Sequence, residues 1–247
     1  MTRADVEAAV QKQTAEVGQG TEWFDLSPVR RTIARRMAES HRAAAEVTLM
    51  REVDATEMVT LRRQVLEELS ETDPRPTYTD ILVSIVARQL RRHPYANATW
   101  DGERIGLNPE IHVAVAVDTE RGLVTPVVRN ADKKGLLELT AERARLVQRA
   151  LDGTLAPDEL SGGTFTITNL GPLGIDAFTP IINPPQTAIL GVGRIRPAPA
   201  VHEGVLCVRH LMVLSLTFDH RIIDGAPAAR FLMDVVWLVE KPHLVWL

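Results

Sequence analysis

The most informative stretch of this chain reads LTFDHRIIDG and runs from Leu216 to Gly225. It passes from apolar, strand-like residues into a short polar loop, and residues 226–240 then show the apolar spacing of a helix. The pattern predicts that His220 lies at the end of a strand, with the carboxylate of Asp224 four residues later. An unperturbed histidine titrates at about pH 6.5 and accepts a proton at neutral pH, so His220 is a candidate general base.

The composition indicates an ordinary globular protein and excludes several classes. The 247 residues are 45% hydrophobic and 24% charged, and the net charge of −4 gives no case for a nucleic-acid partner. The single cysteine rules out a disulfide framework and a Cys-x-x-Cys metal site. No apolar run reaches the roughly 18 residues of a membrane span, and the N-terminus does not resemble a signal peptide. We therefore expect a cytoplasmic enzyme with no metal and no membrane partner.

The hydrophobic periodicity predicts an α+β fold, because helices and strands do not alternate as regular βαβ units. Ser27 is predicted to cap the first helix, with Pro28 in its first turn, and Thr79 to cap a later one. The turn Glu120-Arg121-Gly122 is predicted to join two strands in a hairpin, with Pro126 at an edge or bulge. The other predicted helices lie near 58–69, 137–151 and 226–240, and the strands near 47–53, 112–117, 123–128, 164–169, 187–195 and 205–218.

The motif His-x-x-x-Asp-Gly, from His220 to Gly225, resembles the active-site signature of the acyltransferase (E2) catalytic domains of 2-oxoacid dehydrogenase complexes, which chloramphenicol acetyltransferases share. The resemblance covers residues 25–247. It implies a chloramphenicol acetyltransferase-like fold, in which helices flank a mixed β-sheet, and a homotrimer with the active site at the trimer interface. Further segments that resemble the family are Ser27–Asp54, Pro94–Ala98, Asp118–Val127, Gly162–Gly171, Phe178–Gln186 and Ala188–Gly193.

The two ends of the chain carry further expectations. Residues 1–24 are predicted to be an N-terminal helix and linker, and they resemble the tail of a peripheral-subunit-binding domain. The C-terminal segment Pro242–Leu247 resembles the apolar tail that joins E2 trimers into cages. An exposed apolar end is costly to leave in water, so this tail either meets another trimer or folds back on its own subunit. We therefore expect a homotrimer, with a cage of trimers as the larger alternative.

The resemblance also implies a reaction, the transfer of an acyl group between coenzyme A and a second thiol or hydroxyl. His220 would take the proton from the acceptor as it attacks the thioester carbonyl. Thr168 stands where many members carry a serine whose hydroxyl stabilises the tetrahedral oxyanion, and a threonine hydroxyl donates the same bond. Asp224 is implied to fix the histidine loop, with Arg30 or Arg31 as its partner, or else it is only the N-cap of the last helix.

Coenzyme A binding is implied at the end of a predicted strand, where Gly191, Gly193 and Arg194 lie. Glycines permit close backbone approach, and the arginine suits a phosphate. Gly191-Val192-Gly193 lacks the third glycine of a dinucleotide-binding fingerprint, so we exclude a Rossmann fold. Arg221 is either a salt-bridge partner or a phosphate contact. We expect coenzyme A or acetyl-CoA as substrate, with no metal and no covalent acyl-enzyme.

Two features depart from the family pattern. Ala45-Glu46 stands where many E2 domains have Pro-His, and the chain shows no lipoyl domain, so we expect no covalently bound lipoyl group.

The first of three hypotheses, which we favour because the chain starts with a methionine, is a free-standing enzyme. It would acetylate the hydroxyl of a small-molecule or carrier-bound acceptor, such as the tetronate ring of an antibiotic pathway. The second is the core of a dehydrogenase complex with a lipoyl thiol as acceptor. The third is an inactive scaffold, which the retained His220, Asp224 and Thr168 argue against.

Overall fold

The structure is a computed structural model that describes Asp5 and residues 21–246, so the predicted N-terminal helix lies almost wholly outside the described residues. The described helices are α1 (Pro28–Ala43), α2 (Thr56–Glu68), α3 (Tyr78–Arg92), α4 (Leu136–Asp152) and α5 (Gly225–Glu240). The described strands are β1 (Glu46–Asp54), β2 (Ala98–Trp100), β3 (Ile105–Leu107), β4 (Val113–Val115), β5 (Val127–Val128), β6 (Phe165–Asn169), β7 (Ala188–Val192), β8 (Arg196–His202) and β9 (Val205–Asp219). A final 3₁₀ helix spans Pro242–Trp246.

Seven strands form the main sheet, in the order β1-β9-β7-β6-β4-β5, with β8 paired to the N-terminal part of β9. The neighbours β4, β6 and β7 run parallel to one another. The remaining pairings in this sheet are antiparallel. β2 and β3 form a separate two-stranded sheet. The prediction of a mixed sheet flanked by helices is therefore confirmed.

Alternation along β6 separates the two faces of the sheet. Phe165 and Ile167 are fully buried and belong to the apolar core. Thr166 and Thr168 point to the opposite face, where α1 lies. The polar side of this strand is therefore left to line a cavity. Helices α2 to α5 supply much of the core through Met58, Leu82, Ile85, Leu139, Leu146, Phe231 and Val235.

Local capping sets the helix boundaries. Ser27 caps α1 as predicted, because its Oγ accepts a hydrogen bond from a backbone N–H of the first turn at 3.2 Å. The predicted cap of α3 is wrong by two residues. Thr77 caps the helix instead, since Thr77 and Asp80 form a reciprocal capping box. Thr79 lies inside the helix, and its hydroxyl accepts a hydrogen bond from Asn169 at the end of β6.

The hairpin predicted around Gly122 forms, with shorter strands than expected, and Pro126 directly precedes the edge strand β5. Strand β8 was not predicted, because Pro197 and Pro199 lack the N–H that a central strand needs. In the structure β8 pairs with β9 on one side only, so both prolines are tolerated. Among the described residues, no helix is both long and apolar enough to cross a membrane.

Candidate active site

Strand β9 ends at Asp219 and places His220 at the start of the loop before α5. The backbone N–H of His220 donates to the carbonyl oxygen of Ala45 at 2.9 Å, which holds the loop against the start of β1. The imidazole is 45% exposed and lies beside the ring of Phe218, with 5.8 Å between the ring centroids. The candidate base therefore combines a fixed backbone with an accessible ring.

The neighbouring Asp219 holds this loop in place. Its Oδ1 accepts hydrogen bonds from the backbone N–H groups of Ala45 at 3.3 Å and Arg221 at 3.0 Å, and its Oδ2 pairs with Nη2 of Arg221 at 2.6 Å. Burial opposes ionisation of Asp219, but these bonds outweigh it and hold the pKa of the carboxyl below its usual value. The Arg221 guanidinium also lies over Trp100, 5.4 Å from the ring centroid. Of the two roles open to Arg221, the structure shows the salt bridge.

Asp224 lies close to His220 without a hydrogen bond between them. Its Oδ1 is 3.9 Å from Nδ1 of the imidazole, which is too long for a hydrogen bond, and its side chain is 84% exposed. It occupies the N-cap position of α5, but its side chain makes no capping hydrogen bond. In a single chain Asp224 is therefore positioned beside the histidine but does not hold it, and its role stays a prediction.

The arginine partner predicted for Asp224 is not found among the described contacts of one chain. The guanidinium of Arg30 lies near Gly122 in the β4–β5 turn. Arg31 donates to the carbonyl oxygen of Leu26, in the segment that leads into α1. The residues that fix the histidine loop are instead Asp219 and Arg221, which flank the histidine, and their opposite charges two residues apart are a sequence signal for this ion pair.

Thr168 faces a cavity of about 400 Å³ on the side of the sheet that carries α1. Thr166 faces the same cavity, and its hydroxyl donates to Oε1 of Gln186 at 2.5 Å. Among the described residues, the Thr168 hydroxyl has no hydrogen-bond partner, so it is available to a ligand. The lining is mainly apolar and comes from α1, the strands and the segment 178–183, with Ile33, Met37, Ala116, Leu123, Phe178 and Ile189 as its apolar members.

His220 and Thr168 do not meet within one chain. The sheet register pairs Thr168 with Gly191 of β7, and Gly191 with Ser215 of β9. His220 lies five residues beyond Ser215, so at about 3.3 Å per residue the two sites are roughly 16 Å apart along the strand direction. A site that uses both residues therefore needs a second copy of the chain.

The glycines predicted to approach coenzyme A have a packing reason of their own. A Cβ on Gly193 would overlap the carbonyl oxygen of Asp176, and one on Gly191 would lie 3.1 Å from the ring of Phe178. Arg194 pairs with Asp176, with 2.5 Å between Nε and Oδ1. All three residues thus anchor the segment that crosses the end of β7. Their contact with coenzyme A stays a prediction.

Glu46, where the sequence departs from the family pattern, ties two walls of the cavity together. Its Oε1 accepts a hydrogen bond from the backbone N–H of Ile182 at 3.0 Å, and its Oε2 lies 3.0 Å from Nδ1 of His41. Ser40 Oγ donates to the carbonyl oxygen of Ile182 at 2.6 Å. The last turn of α1 is thereby joined to the segment 178–183. No role for Glu46 was predicted, because Ile182 lies 136 residues away along the chain.

The profile of the family described as 2-oxoacid dehydrogenases acyltransferase (catalytic domain) matches residues 18–247. The chain belongs to this acyltransferase family. The match includes both halves of the candidate site, the histidine loop that follows β9 and the strand that carries Thr168. As a member of the family, the chain is an acyltransferase of the E2 type.

Two curated relatives of this E2 domain illustrate the range of acyl groups in the family. The chain is 40% identical to the dihydrolipoyllysine-residue acetyltransferase component of the acetoin cleaving system of Bacillus subtilis (strain 168), over 88% of this chain and 55% of the relative. It is 36% identical to the dihydrolipoyllysine-residue succinyltransferase component of the 2-oxoglutarate dehydrogenase complex of Haemophilus influenzae, over 98% of this chain and 64% of the relative. The chain thus spans more than half, but less than two thirds, of the length of these relatives.

Solved E2 structures share the fold. The dihydrolipoamide acetyltransferase of Azotobacter vinelandii superposes with a TM-score of 0.88 at 32% identity, over 92% of this chain and 94% of that chain. The cubic core of a pyruvate dehydrogenase multienzyme complex gives a TM-score of 0.88 at 33% identity, with the same two coverages. The expected E2-type α+β fold is therefore confirmed.

Proposed function

We propose that this domain transfers an acyl group between coenzyme A and a dihydrolipoyl thiol, as the catalytic core of an E2 component. One observation carries the proposal. The Azotobacter vinelandii structure belongs to an investigation of a serine, a histidine and an asparagine in the catalytic mechanism. That serine precedes the histidine by 52 residues and the asparagine follows it by four, and the same separations join Thr168, His220 and Asp224.

The geometry supports a direct acyl transfer. His220 accepts the proton of the acceptor thiol as the sulfur attacks the thioester carbonyl, and the new C–S bond gives a tetrahedral oxyanion. The Thr168 hydroxyl donates a hydrogen bond to that oxyanion, an interaction worth about 10²–10³ in rate in other enzymes. Collapse breaks the bond to the coenzyme A sulfur, which takes the proton back from the imidazolium. The ion pair of Asp219 and Arg221 keeps the histidine backbone in place throughout.

The site is proposed to form between two copies of the chain. In one chain, His220 and Thr168 lie roughly 16 Å apart along the strand direction. In the proposed reaction His220 contacts the acceptor sulfur and Thr168 contacts the oxyanion, and these two atoms lie within a few bonds of each other. A neighbour that brings its own His220 to the cavity of the first chain meets both requirements. A homotrimer places three such interfaces in one ring.

A hydroxyl acceptor is the second candidate, and it is the reaction that the sequence analysis favoured. Its supporting observation is Glu46, which stands where many E2 domains have histidine and which bonds to the cavity wall at Ile182. The relatives reported above are components of multienzyme systems that carry the acyl group on dihydrolipoyllysine. They favour the thiol acceptor, so acetylation of a tetronate-type hydroxyl becomes the alternative.

The test follows the release and capture of the acyl group. The protein is incubated with acetyl-CoA and dihydrolipoamide, and S-acetyl-dihydrolipoamide and free coenzyme A are separated by chromatography. We expect turnover that falls by roughly 10²–10⁴-fold in His220→Ala, because the general base is lost.

The matched control is His202→Ala, which removes an exposed histidine at the end of β8. It should keep wild-type turnover. Equal turnover in the wild type and in His220→Ala would disprove the proposed role of the histidine. Binding of acetyl-CoA without any turnover on dihydrolipoamide would move the search to hydroxyl acceptors.

A further inference from the structure

Among the described residues that line the Thr168 cavity, Arg36 is the one charged side chain. It projects from α1, the helix that also contributes Thr32 and Met37 to the lining. The rest of the surface consists of apolar side chains, threonine hydroxyls and the amide of Asn183. Arg36 is exposed in one chain, so its guanidinium is accessible to a ligand that enters the cavity from solvent.

No protein carboxylate accompanies this charge among the described residues. Arg36 forms no ion pair and no side-chain hydrogen bond with any residue that the structure describes. Other arginines beside buried surfaces are paired, as the ion pairs Arg143–Asp80, Arg209–Asp54 and Arg221–Asp219 show. Arg36 therefore keeps all its N–H donors free for a group that is not part of the chain.

A second cavity, of about 180 Å³, is also lined by Arg36. It shares Arg36, Thr125 and Asn183 with the Thr168 cavity and continues toward Gly163 and Gln186. Its lining is more polar than that of the first cavity. Arg36 thus lines both the mainly apolar Thr168 cavity and the more polar second cavity.

We propose that Arg36 binds an anionic group, a carboxylate or a comparably acidic oxygen, on the part of the substrate that occupies this cavity. The inference rests on the proposed acyl transfer at Thr168. The anion is either the far end of a dicarboxylic acyl group or an acidic group of the acceptor. An arginine fork binds either one through two parallel N–H···O bonds.

The phosphates of coenzyme A fit this position less well. The whole pantetheine arm separates them from the thioester carbon, while Arg36 and Thr168 line one cavity of about 400 Å³. A carboxylate three or four bonds from the reacting carbonyl spans such a cavity. A plain acetyl group fills little of it and leaves the guanidinium without a partner.

The donor arm of the test measures equilibrium binding, so it does not depend on the acceptor. Acetyl-CoA, succinyl-CoA and coenzyme A are titrated calorimetrically into the wild type, Arg36→Met and Arg36→Lys. If the acyl group carries the anion, the wild type binds succinyl-CoA about 10- to 100-fold more tightly than acetyl-CoA, as expected for a charge-assisted bond. Arg36→Met removes this preference, and Arg36→Lys keeps part of it.

The acceptor arm uses a hydroxymethyl tetronate and a neutral butenolide of the same shape, each titrated with the same variants in the presence of coenzyme A. Preference for the acidic ring that disappears in Arg36→Met assigns the anion to the acceptor. Arg35→Met is the matched control, since Arg35 is an exposed neighbour on α1 that lines neither cavity.

Two results would overturn the inference. One is the absence of any preference for an acidic donor or acceptor in the wild type. The other is an equal loss of affinity for coenzyme A, acetyl-CoA and succinyl-CoA in Arg36→Met, because the guanidinium would then serve a phosphate. If the binding preference is present but the acetyl-CoA and dihydrolipoamide assay shows no turnover, the proposed reaction is contradicted and the role of Arg36 is left intact.

Discussion

Asp219 and Arg221 flank His220 and clamp its backbone from both sides. The Asp219 side chain is 5% exposed and accepts hydrogen bonds from Ala45, directly before β1, and from its arginine neighbour, so one buried carboxylate joins two elements at the candidate base. Trp100 extends the clamp to the β2–β3 hairpin by stacking on the same guanidinium. The immediate sequence neighbours of His220 therefore hold the histidine of the proposed reaction in position. Asp224 lies near the imidazole but makes no hydrogen bond to it.

Asp219→Asn is expected to weaken the protein in a pH-dependent way. Because the folded pKa of Asp219 is depressed, its stabilising effect is present above the unfolded value of about 3.9 and is lost as the pH falls through the folded pKa. The variant should be about 1–3 kcal/mol less stable at pH 7, and the difference should shrink below about pH 4. Urea unfolding across this pH range measures the change in the free energy of unfolding.

Asp118→Asn serves as the control for this series, because Asp118 is an exposed carboxylate in the β4–β5 loop. Its stability curve should follow the wild type at every pH. If the Asp219→Asn variant is as stable as the wild type at pH 7, the ion pair with Arg221 contributes nothing to the free energy of unfolding.

At the scale of elements, the end of β7 is shaped by the segment that crosses it. The backbone N–H of Gly193 donates to Val213 of β9 at 2.9 Å, and the carbonyl of Asp176 lies where a side chain at Gly193 would project. The next residues of this segment, from Phe178 to Pro180, line the Thr168 cavity. The segment that forms this cavity wall can therefore take its observed position only because residue 193 has no side chain.

Gly193→Ala should destabilise the protein by about 1–3 kcal/mol, since the new methyl group forces the backbone at Asp176 to move. The Michaelis constant for the acyl donor should rise as well, because the displaced segment borders the cavity. Thermal unfolding and steady-state kinetics measure the two effects. Gly135→Ala is the control for the steric effect, since a Cβ there meets open space. Because Gly135 is the N-cap of α4, this variant should cost up to about 1 kcal/mol but leave the Michaelis constant for the acyl donor unchanged.

At the scale of the whole molecule, the site requires two chains if His220 and Thr168 act on the same intermediate. The separation across β6, β7 and β9 cannot be closed by side-chain rotation, because it exceeds the reach of both side chains. The assembly then becomes part of the active site. Dissociation of the oligomer should remove activity without unfolding the chain.

Subunit mixing tests this directly. His220→Ala and Thr168→Ala are each expected to have little activity alone. When the two variants are unfolded together and refolded, random mixing in a ring leaves about a quarter of the interfaces with both intact groups, so about a quarter of the wild-type activity should return. Activity no higher than the mean of the two separate variants would mean that each chain holds a complete site.

The helices, most of the strands and the histidine loop could be predicted from the sequence, since each depends on periodicity or on a contiguous motif. The prediction failed at β8, where prolines occur in a strand that pairs on one side, and at the cap of α3, which shifted from Thr79 to Thr77. The hydrogen bond between Glu46 and Ile182 and the position of Arg36 beside two cavities were not predicted. Each brings together segments far apart in the chain, and no local pattern encodes them.

The family, the mixed α+β fold and the candidate base follow from the sequence, because the motif around His220 and the apolar spacing of the elements are local properties of the chain. That Asp219 rather than Asp224 holds the histidine loop emerges from the folded chain. Only the tertiary structure decided that Thr168 faces a cavity on the other side of the sheet from the core, and that His220 and Thr168 lie far apart in one subunit. The reason is physical: strand register and the packing of α1 set these distances, and both arise from contacts that exist only once the chain has folded.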